Sequence, residues 1–558
     1  MLLFPLLLLC LPAGLLQAQQ TDTVRIAVEP QVELLTIIHL PQEEGPHPVV
    51  FLRNPYRTRG GPMEWLAERL VPHGYAVVEQ DVRGTGGSGG TFIPFRFDVP
   101  DGIATLDWLM EQHWVGPVGL LGVSYSGWAA YALAETGHPA VWAMVVGNAW
   151  AEMEPFMFPG GAFHLQAHLT WLMGFGGGGG MPSQAGLDSL FHTLPLAPLL
   201  EPASALMEMA DRPYRWDAAR VPALHITGWH DYIYRDALRG YEALRATQGP
   251  HGSQRLIIGP WSHNQELSGG TQVGDVDFGP VAAAGRDSIA AWSRRFFDVH
   301  LRGLPETDPP VRVFVMGKNA WRAFDHWPPS AAETRVWYLA ESGELRDRSR
   351  EEAGVTTFEY DPENPMPTLG GVNSHFFPQN LGPLDQRPLD ARTDVATFVS
   401  SALDRPLIMA GPARAVLYLE ADAPSTDVAV KLISVAPDGT ARLMEDGIRR
   451  LPRLHPGVNE VHVDLGQRAL RLEPGMRLRV DVTGGNFPKF DRNPNTGEDP
   501  LLAITLRPVR LSLYHGGPHR SRLEVVSLRE LDAAPTSAAP PPGRRDSTWP
   551  NVRAKEIK

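Results

Sequence analysis

Cysteine is almost absent from this sequence: of 558 residues only Cys10 is one, and it falls within the first eighteen. Those residues, MLLFPLLLLCLPAGLLQA, carry no charge and form an apolar run too short to span a bilayer. They read as a cleaved signal peptide at residues 1–18, with a membrane anchor as the alternative. Leu9 stands where a lipoprotein leader needs a small residue before its cysteine. Once the leader is removed no thiol remains, which excludes disulfides, a cysteine nucleophile and thiolate metal sites. The expected location is secreted or periplasmic. Basic charge is also in deficit, with a formal net charge of −13. That balance argues against nucleic acid or anionic lipid as a partner. No cofactor, metal or membrane association after leader cleavage is expected, and homo-oligomerisation is left open. What is present is globular in character, 43% hydrophobic and 20% charged, and too long for one core, so two or three domains are expected.

The most informative stretch is residues 117–127, PVGLLGVSYSG. A short apolar run suited to a strand buried on both faces leads into a turn at Ser124, and an Ala-rich helix, WAAYALAE, follows. Gly122 gives the turn room at minus two, whereas Ser126 occupies plus two where G-x-S-x-G has glycine. On this stretch alone Ser124 reads as a nucleophile on a sharp elbow or as a helix N-cap.

Upstream, VRIAVEP and VELLTIIHLP alternate as strands, and VVFLRNPY, GYAVVEQDVRG and helical DGIATLDWLMEQ follow. The alternation predicts a mostly parallel sheet covered by helices. Residues 84–89, GTGGSG, fit G-x-G-x-x-G, but residues 91–100 hold aromatics and two prolines where a dinucleotide fingerprint needs a helix to open. A tight glycine loop is the better reading. Between residues 149 and 215 the rhythm gives way to a Met-, Phe-, Trp- and Leu-rich region with the glycine run 176–180, which reads as a helical cap or an ordinary helical insertion.

The strands then resume. PALHITG ends in Trp229-His230-Asp231 and RLIIG ends in Pro260-Trp261-Ser262-His263. The order Ser124, Asp231, His263 is that of nucleophile, acid and base in α/β hydrolases. His73, His113 and His230 read as exposed loop histidines, and Glu152 and Glu154 as solvated surface. After a helix at residues 287–301, segments such as VRVFVMG, ARAVLYLEA and MRLRVDVTG predict a β-sandwich, a jelly roll, with no long helix. The Pro-, Ala- and Ser-rich end reads as disordered. The expected layout is an α/β-hydrolase domain at 22–148 and 216–303, a cap at 149–215, a jelly roll at 304–532 and a disordered tail at 533–558.

With Arg53-Asn54-Pro55-Tyr56, Asp81-Val82-Arg83-Gly84, the elbow Gly122 to Gly127, Gly228-Trp229-His230-Asp231, Gly259 to His263, Tyr360-Asp361-Pro362 and Thr426-Asp427 in place, the chain resembles the cocaine esterase and Xaa-Pro dipeptidyl-peptidase family of serine hydrolases (the CocE/NonD type). The resemblance implies the fold class just described, α/β with an inserted cap and a C-terminal all-β domain, and an elbow of the form G-x-S-Y-x-G. It implies Ser124, His263 and Asp231 as a catalytic triad acting through an acyl-enzyme, with an oxyanion hole made by the Tyr125 backbone N–H and the Tyr56 hydroxyl. Tyr232, Ile233 and Tyr234 stand where the amino-acid ester hydrolases carry extra carboxylates, so an apolar acyl pocket is expected. The substrate is then a small acyl ester, amide or short peptide, with an Xaa-Pro dipeptidyl-peptidase as the alternative. A secreted binding protein that has lost hydrolase activity is the alternative of another class, disfavoured by the intact Ser124, Asp231 and His263.

Overall fold

A computed structural model describes residues 20–531, except 62, 177–181, 201–212, 249–252 and 350. The expected signal peptide with Cys10, glycines 177–180 and the tail at 533–558 lie outside the described residues. The first sheet contains β1 (Gln20–Glu29), β2 (Val32–Leu40), β3 (His47–Asn54), β4 (Ala76–Asp81), β5 (Val115–Val123), β6 (Val141–Gly147), β7 (Ala223–Gly228) and β8 (Gln254–Gly259). Their order across the sheet is β1-β2-β4-β3-β5-β6-β7-β8, followed by the strands Val311–Val315 and Ala320–Phe324. From β4 to β8 all neighbours are parallel, and β1 and β2 add an antiparallel edge.

The two strands at 311–324 join the first sheet rather than the sandwich expected for them. The sequence of VRVFVMG suits a sandwich strand, yet Val311–Val315 runs parallel to β8, with Val311 opposite Leu256 and Val313 opposite Ile258. A continuous apolar run is the signature of a strand buried on both faces of a parallel sheet, and Val311, Val313, Phe314 and Val315 are all buried. The indole of Trp229 fastens the new strand by donating to the carbonyl of Phe314 at 2.9 Å. The first sheet therefore extends to Phe324, and the second sheet begins at Glu333.

Three helices pack on the first sheet. Helix α1 (Trp65–Leu70) buries Trp65, Leu66, Ala67 and Leu70 on the sheet. Helix α2 (Asp98–Met110) starts three residues earlier than expected and carries Pro100 in its first turn, where a missing N–H leaves no bond unmade. Helix α3 (Tyr125–Ala134) is buried at every position, which explains why its sequence is apolar all round rather than striped. The cap contributes short helices at Met153–Met157, Leu165–Trp171, Gln184–Phe191 and Ala197–Leu200. Phe156 and Phe191 of these helices, with Phe163 between the first two, share one apolar cluster with Tyr125 and Trp128 of α3 and with Phe377 and Phe487 of the C-terminal half.

From Glu333 to Leu528 eleven strands form a second sheet around a core that includes Val430, Leu432, Val463, Leu478, Val480 and Val525. Among the described residues no α-helix follows Arg302. The C-terminal half is an all-β domain.

Candidate active site

Strand β5 delivers Ser124 directly into α3. Its backbone takes φ 59° and ψ −123°, outside the wells open to an ordinary L-residue, and its N–H is held by the carbonyl of Gly147 at 2.9 Å. A Cβ on Gly122 would lie 2.1 Å from the carbonyl oxygen of Ser126, so only glycine allows the turn this tightness. Ser126, which replaces the plus-two glycine of G-x-S-x-G, is buried and lines the same cleft as Ser124. Tyr125 is fixed by its hydroxyl, which donates to Asp98 at 2.7 Å and accepts from the Phe95 N–H at 2.8 Å. Asp98 in turn pairs with buried Arg53 at 3.5 Å.

The glycine loop at 84–89 is a support and not a phosphate cradle. Gly84 N–H bonds the Gly89 carbonyl, Gly87 N–H bonds Asp81, and a Cβ on Gly86, at φ 53°, would lie 2.1 Å from that same carboxylate. The next helix, α2, opens only at Asp98.

Asp231 leaves β7 fully buried, and one of its carboxylate oxygens accepts from the Ile233 N–H at 2.7 Å. The other lies 2.8 Å from Nδ1 of His263, which follows β8. Burial disfavours the imidazolium, but the charge and hydrogen bond of Asp231, with Glu266 adding to them, outweigh it and hold the His263 pKa above 6.5. Ser124 and His263 line one cleft of about 480 Å³ with Tyr56, Tyr232, His375 and Phe376. The Tyr56 hydroxyl has the Ser124 side chain and the Trp171 indole, 3.4 Å away, as hydrogen-bond partners. Burial pushes its pKa up to about 12, so at neutral pH it keeps its proton and can donate. The five residues read from the sequence, Ser124, Asp231, His263, Tyr56 and Tyr125, thus meet at the C-terminal edge of the parallel strands.

Beside Ser124 a second, small pocket of about 30 Å³ is walled by aromatic side chains, among them Phe95, Trp150, Phe156 and Trp171. The ring of Phe156 stacks on Trp150 at 3.8 Å. Among the described residues, no Asp or Glu lines the cleft or this pocket. Glu154 is exposed, as expected, while Glu152 is half-buried and accepts from the Trp216 indole at 3.3 Å.

His73 and His113 are exposed, but the expectation for His230 is overturned. It is only 4% exposed, its ring stacks on Phe278 at 5.7 Å, and burial together with Arg468 drives its pKa well below 6.5. Its backbone is tied to the Trp261 carbonyl, which turns the side chain inward.

Several residues at the site were not picked out by sequence. Glu266, buried on the turn after His263, accepts from Asn148 at 2.9 Å, and burial raises its pKa to about 7. His375 and Phe376 come from the all-β domain. The all-β domain also grips the acid loop: Arg468 donates to the Trp229 carbonyl at 2.5 Å and pairs with Glu445 at 2.9 Å, and Glu445 pairs with Arg235 at 2.9 Å. Asp427, part of the quoted Thr-Asp motif, pairs with Arg450, which also holds Asp491, and Asp491 accepts from the cap backbone at Phe163. That motif is an inter-domain fastening.

Residues 31–192 and 200–265 match the X-Pro dipeptidyl-peptidase (S15) family, and residues 303–524 match the X-Pro dipeptidyl-peptidase C-terminal non-catalytic domain. Cocaine esterase of Rhodococcus sp. (strain MB1 Bresler) is 33% identical over 542 residues, covering 85% of this chain and 91% of that protein. Two solved structures share the fold. An aminopeptidase from a marine sediment archaeon (Thaumarchaeota archaeon) superposes with a TM-score of 0.80 at 22% identity, covering 91% of this chain and 96% of that one. An α-amino acid ester hydrolase superposes with a TM-score of 0.78 at 24% identity, again over 91% and 96% of the two chains.

Proposed function

The chain belongs to the serine hydrolase family of cocaine esterase and the X-Pro dipeptidyl-peptidases, and we propose that it cleaves small acyl esters through an acyl-enzyme on Ser124. Cleavage of amides by the same route is part of the proposal. The observation that carries this reading is the 2.8 Å contact of Asp231 with His263 in the cleft that also holds Ser124 and Tyr56.

The chemistry follows from those groups. His263 takes the Ser124 proton as the oxygen attacks the acyl carbon, and Asp231 holds the imidazole tautomer and stabilises the imidazolium. The developing oxyanion receives the Tyr125 N–H and the Tyr56 hydroxyl. Collapse of the tetrahedral intermediate expels the alcohol or amine, which takes the proton from His263. Water then attacks the acyl-enzyme with His263 again as base.

The small aromatic pocket suits the acyl group, and the larger cleft suits the leaving group. About 30 Å³ of room corresponds to roughly two methyl-sized groups, so short acyl chains fit best. The named alternative, an Xaa-Pro dipeptidyl-peptidase, needs a carboxylate facing the substrate ammonium. Neither cavity is lined by Asp or Glu among the described residues, which favours the ester. Export with removal of residues 1–18 belongs to the same proposal, and N-terminal sequencing of protein from the periplasm or medium tests it. The deciding assay is a panel of p-nitrophenyl acyl esters beside Gly-Pro and Ala-Pro anilides on purified mature protein. Turnover of the short esters is expected, and turnover confined to the anilides would overturn the substrate assignment.

A further inference from the structure

The face of the His263 ring is covered by another histidine, from the domain whose family description is non-catalytic. The His375 imidazole lies 4.6 Å from that of His263 with 28° between the planes. Tyr232 approaches the same two rings, 5.1 Å from His263 and 6.1 Å from His375. The ring of Phe376 lies 4.2 Å from that of His375.

The loop that carries His375 is built to hold it still. Gly371 and Gly382 exchange both backbone hydrogen bonds, Gly370 N–H bonds the Asn380 side chain, and Asn373 donates to the Asn380 carbonyl. Gly370, Gly371 and Gly382 all have φ between 69° and 82°, so the loop turns where only glycine turns without strain. Buried Phe377, two residues on, pins the loop against Phe191 of the cap.

We propose that His375 is a positioning residue for the base: its flat contact fixes the plane of the His263 ring, so that one nitrogen stays on Asp231 while the other faces Ser124. The hydrogen bond to Asp231 alone leaves His263 free to swing about that axis, and the stacked ring removes this freedom. A neutral ring face also attracts the imidazolium formed when His263 accepts the Ser124 proton. His375 is suited to this role because it stays uncharged; burial, and secondarily the proximity of His263, push its pKa down to about 3. The titratable groups facing it are His263 and Tyr232. The all-β domain thereby enters the reaction without touching the acyl group.

This inference rests on His263 being the base, and the experiment separates the two claims. Wild-type, His375→Ala and His375→Phe full-length proteins are compared for kcat and KM on p-nitrophenyl acetate and a second acetate ester with a smaller leaving group. Thermal melting and fluorophosphonate labelling are measured alongside. A slightly misplaced catalytic group costs on the order of 10²-fold, so His375→Ala should lower kcat by roughly ten- to a hundredfold with KM within about twofold. His375→Phe keeps the flat contact and should restore most of the loss. An unchanged kcat in the alanine variant overturns the proposal, as does an equal loss in the phenylalanine variant. A loss confined to KM and dependent on the leaving group makes His375 a substrate contact instead. If the alanine variant does not fold, full activity of the phenylalanine variant supports the stacking role and a deep kcat loss there overturns it. A wild-type protein that neither turns over esters nor takes the label removes the underlying reading itself.

Discussion

Arg468 of the all-β domain donates to the main-chain carbonyl of Trp229 at 2.5 Å, a contact spanning 239 residues that ends two positions before Asp231. Arg468 is 1% exposed and its partner Glu445 is fully buried, so the pair has no water to fall back on. Removing Arg468 leaves buried Glu445 with Arg235 as its remaining ion-pair partner and breaks the bond to the Trp229 carbonyl, a loss of buried polar partners that typically costs about 1–3 kcal/mol. Arg468→Met should therefore lower the melting temperature sharply and reduce kcat. Adding Glu445→Gln should lower the melting temperature further, because Arg235 then loses its paired carboxylate. Equal melting temperatures for the wild type and the single variant would refute the anchoring role.

The two strands that extend the first sheet beyond residue 303 bear on truncation. A chain ending near Gly303 loses the strands Val311–Val315 and Ala320–Phe324 as well as the all-β domain. It exposes the β8 edge and the apolar surface that Phe314 and Trp321 cover, and an unpaired edge beside an apolar face invites aggregation. The fragment should appear in the insoluble fraction or as high-mass species on size exclusion. A soluble, active monomer would disprove this. Removal of residues 533–558, by contrast, should leave melting temperature and turnover nearly unchanged, because their composition cannot bury enough apolar area to offset ordering.

Glu266 makes the site pH-sensitive in a way that Glu266→Gln isolates. Its pKa is about 7 in the folded protein against an ordinary 4.5, with burial as the main cause. The folded state thus holds the proton more tightly than the unfolded chain. The resulting stability is fully present below about 4.5 and is lost as pH rises through 7, up to roughly 3 kcal/mol for a shift of this size. The glutamine cannot ionise, so the difference in melting temperature, variant minus wild type, should grow between pH 5 and pH 8. The variant also removes a charge that raises the His263 pKa, so the acid limb of kcat/KM should move to lower pH. A limb that stays in place or moves upward would show that Glu266 does not act on the base.

Two serines flank Tyr125, and only one occupies the strained turn. Ser124→Ala should abolish turnover and fluorophosphonate labelling, whereas Ser126→Ala should keep most of both. The reverse pattern would mean that the elbow presents the other hydroxyl.

The fold was legible wherever the signal is local. Apolar runs such as RLIIG and PALHITG mark strands because burial on both faces leaves no polar position, and the order of Ser124, Asp231 and His263 at strand ends survives any detail of packing. Partnership was not local. VRVFV reads the same whether it joins a sandwich or extends a parallel sheet, and only the free edge of β8 decides between them. His230 occupies a loop, yet a backbone bond to Trp261 turns it inward. His375 lies in a segment without periodicity, and its meaning depends on a ring 112 positions earlier that the sequence cannot place beside it. The glycines that frame it, Gly370, Gly371 and Gly382, were the available hint that this loop has a fixed shape.

The acyl preference should be set by Phe156. Its ring lies flat on Trp150 at 3.8 Å and edge-on to His168 at 4.6 Å, closing the small pocket beside Ser124. The wild type should therefore favour p-nitrophenyl acetate and propionate over the octanoate, whose chain has nowhere to go. Phe156→Ala opens the wall, and each methylene newly buried is worth about 0.8 kcal/mol, or roughly fourfold in kcat/KM. The ratio of octanoate to acetate turnover should rise by at least tenfold. Phe→Ala in a core costs about 3–5 kcal/mol of stability, so Phe156→Leu serves as a milder companion that should shift the ratio in the same direction. Unchanged chain-length profiles in both variants, with the proteins folded and active, would move the acyl group out of this pocket and into the larger cleft.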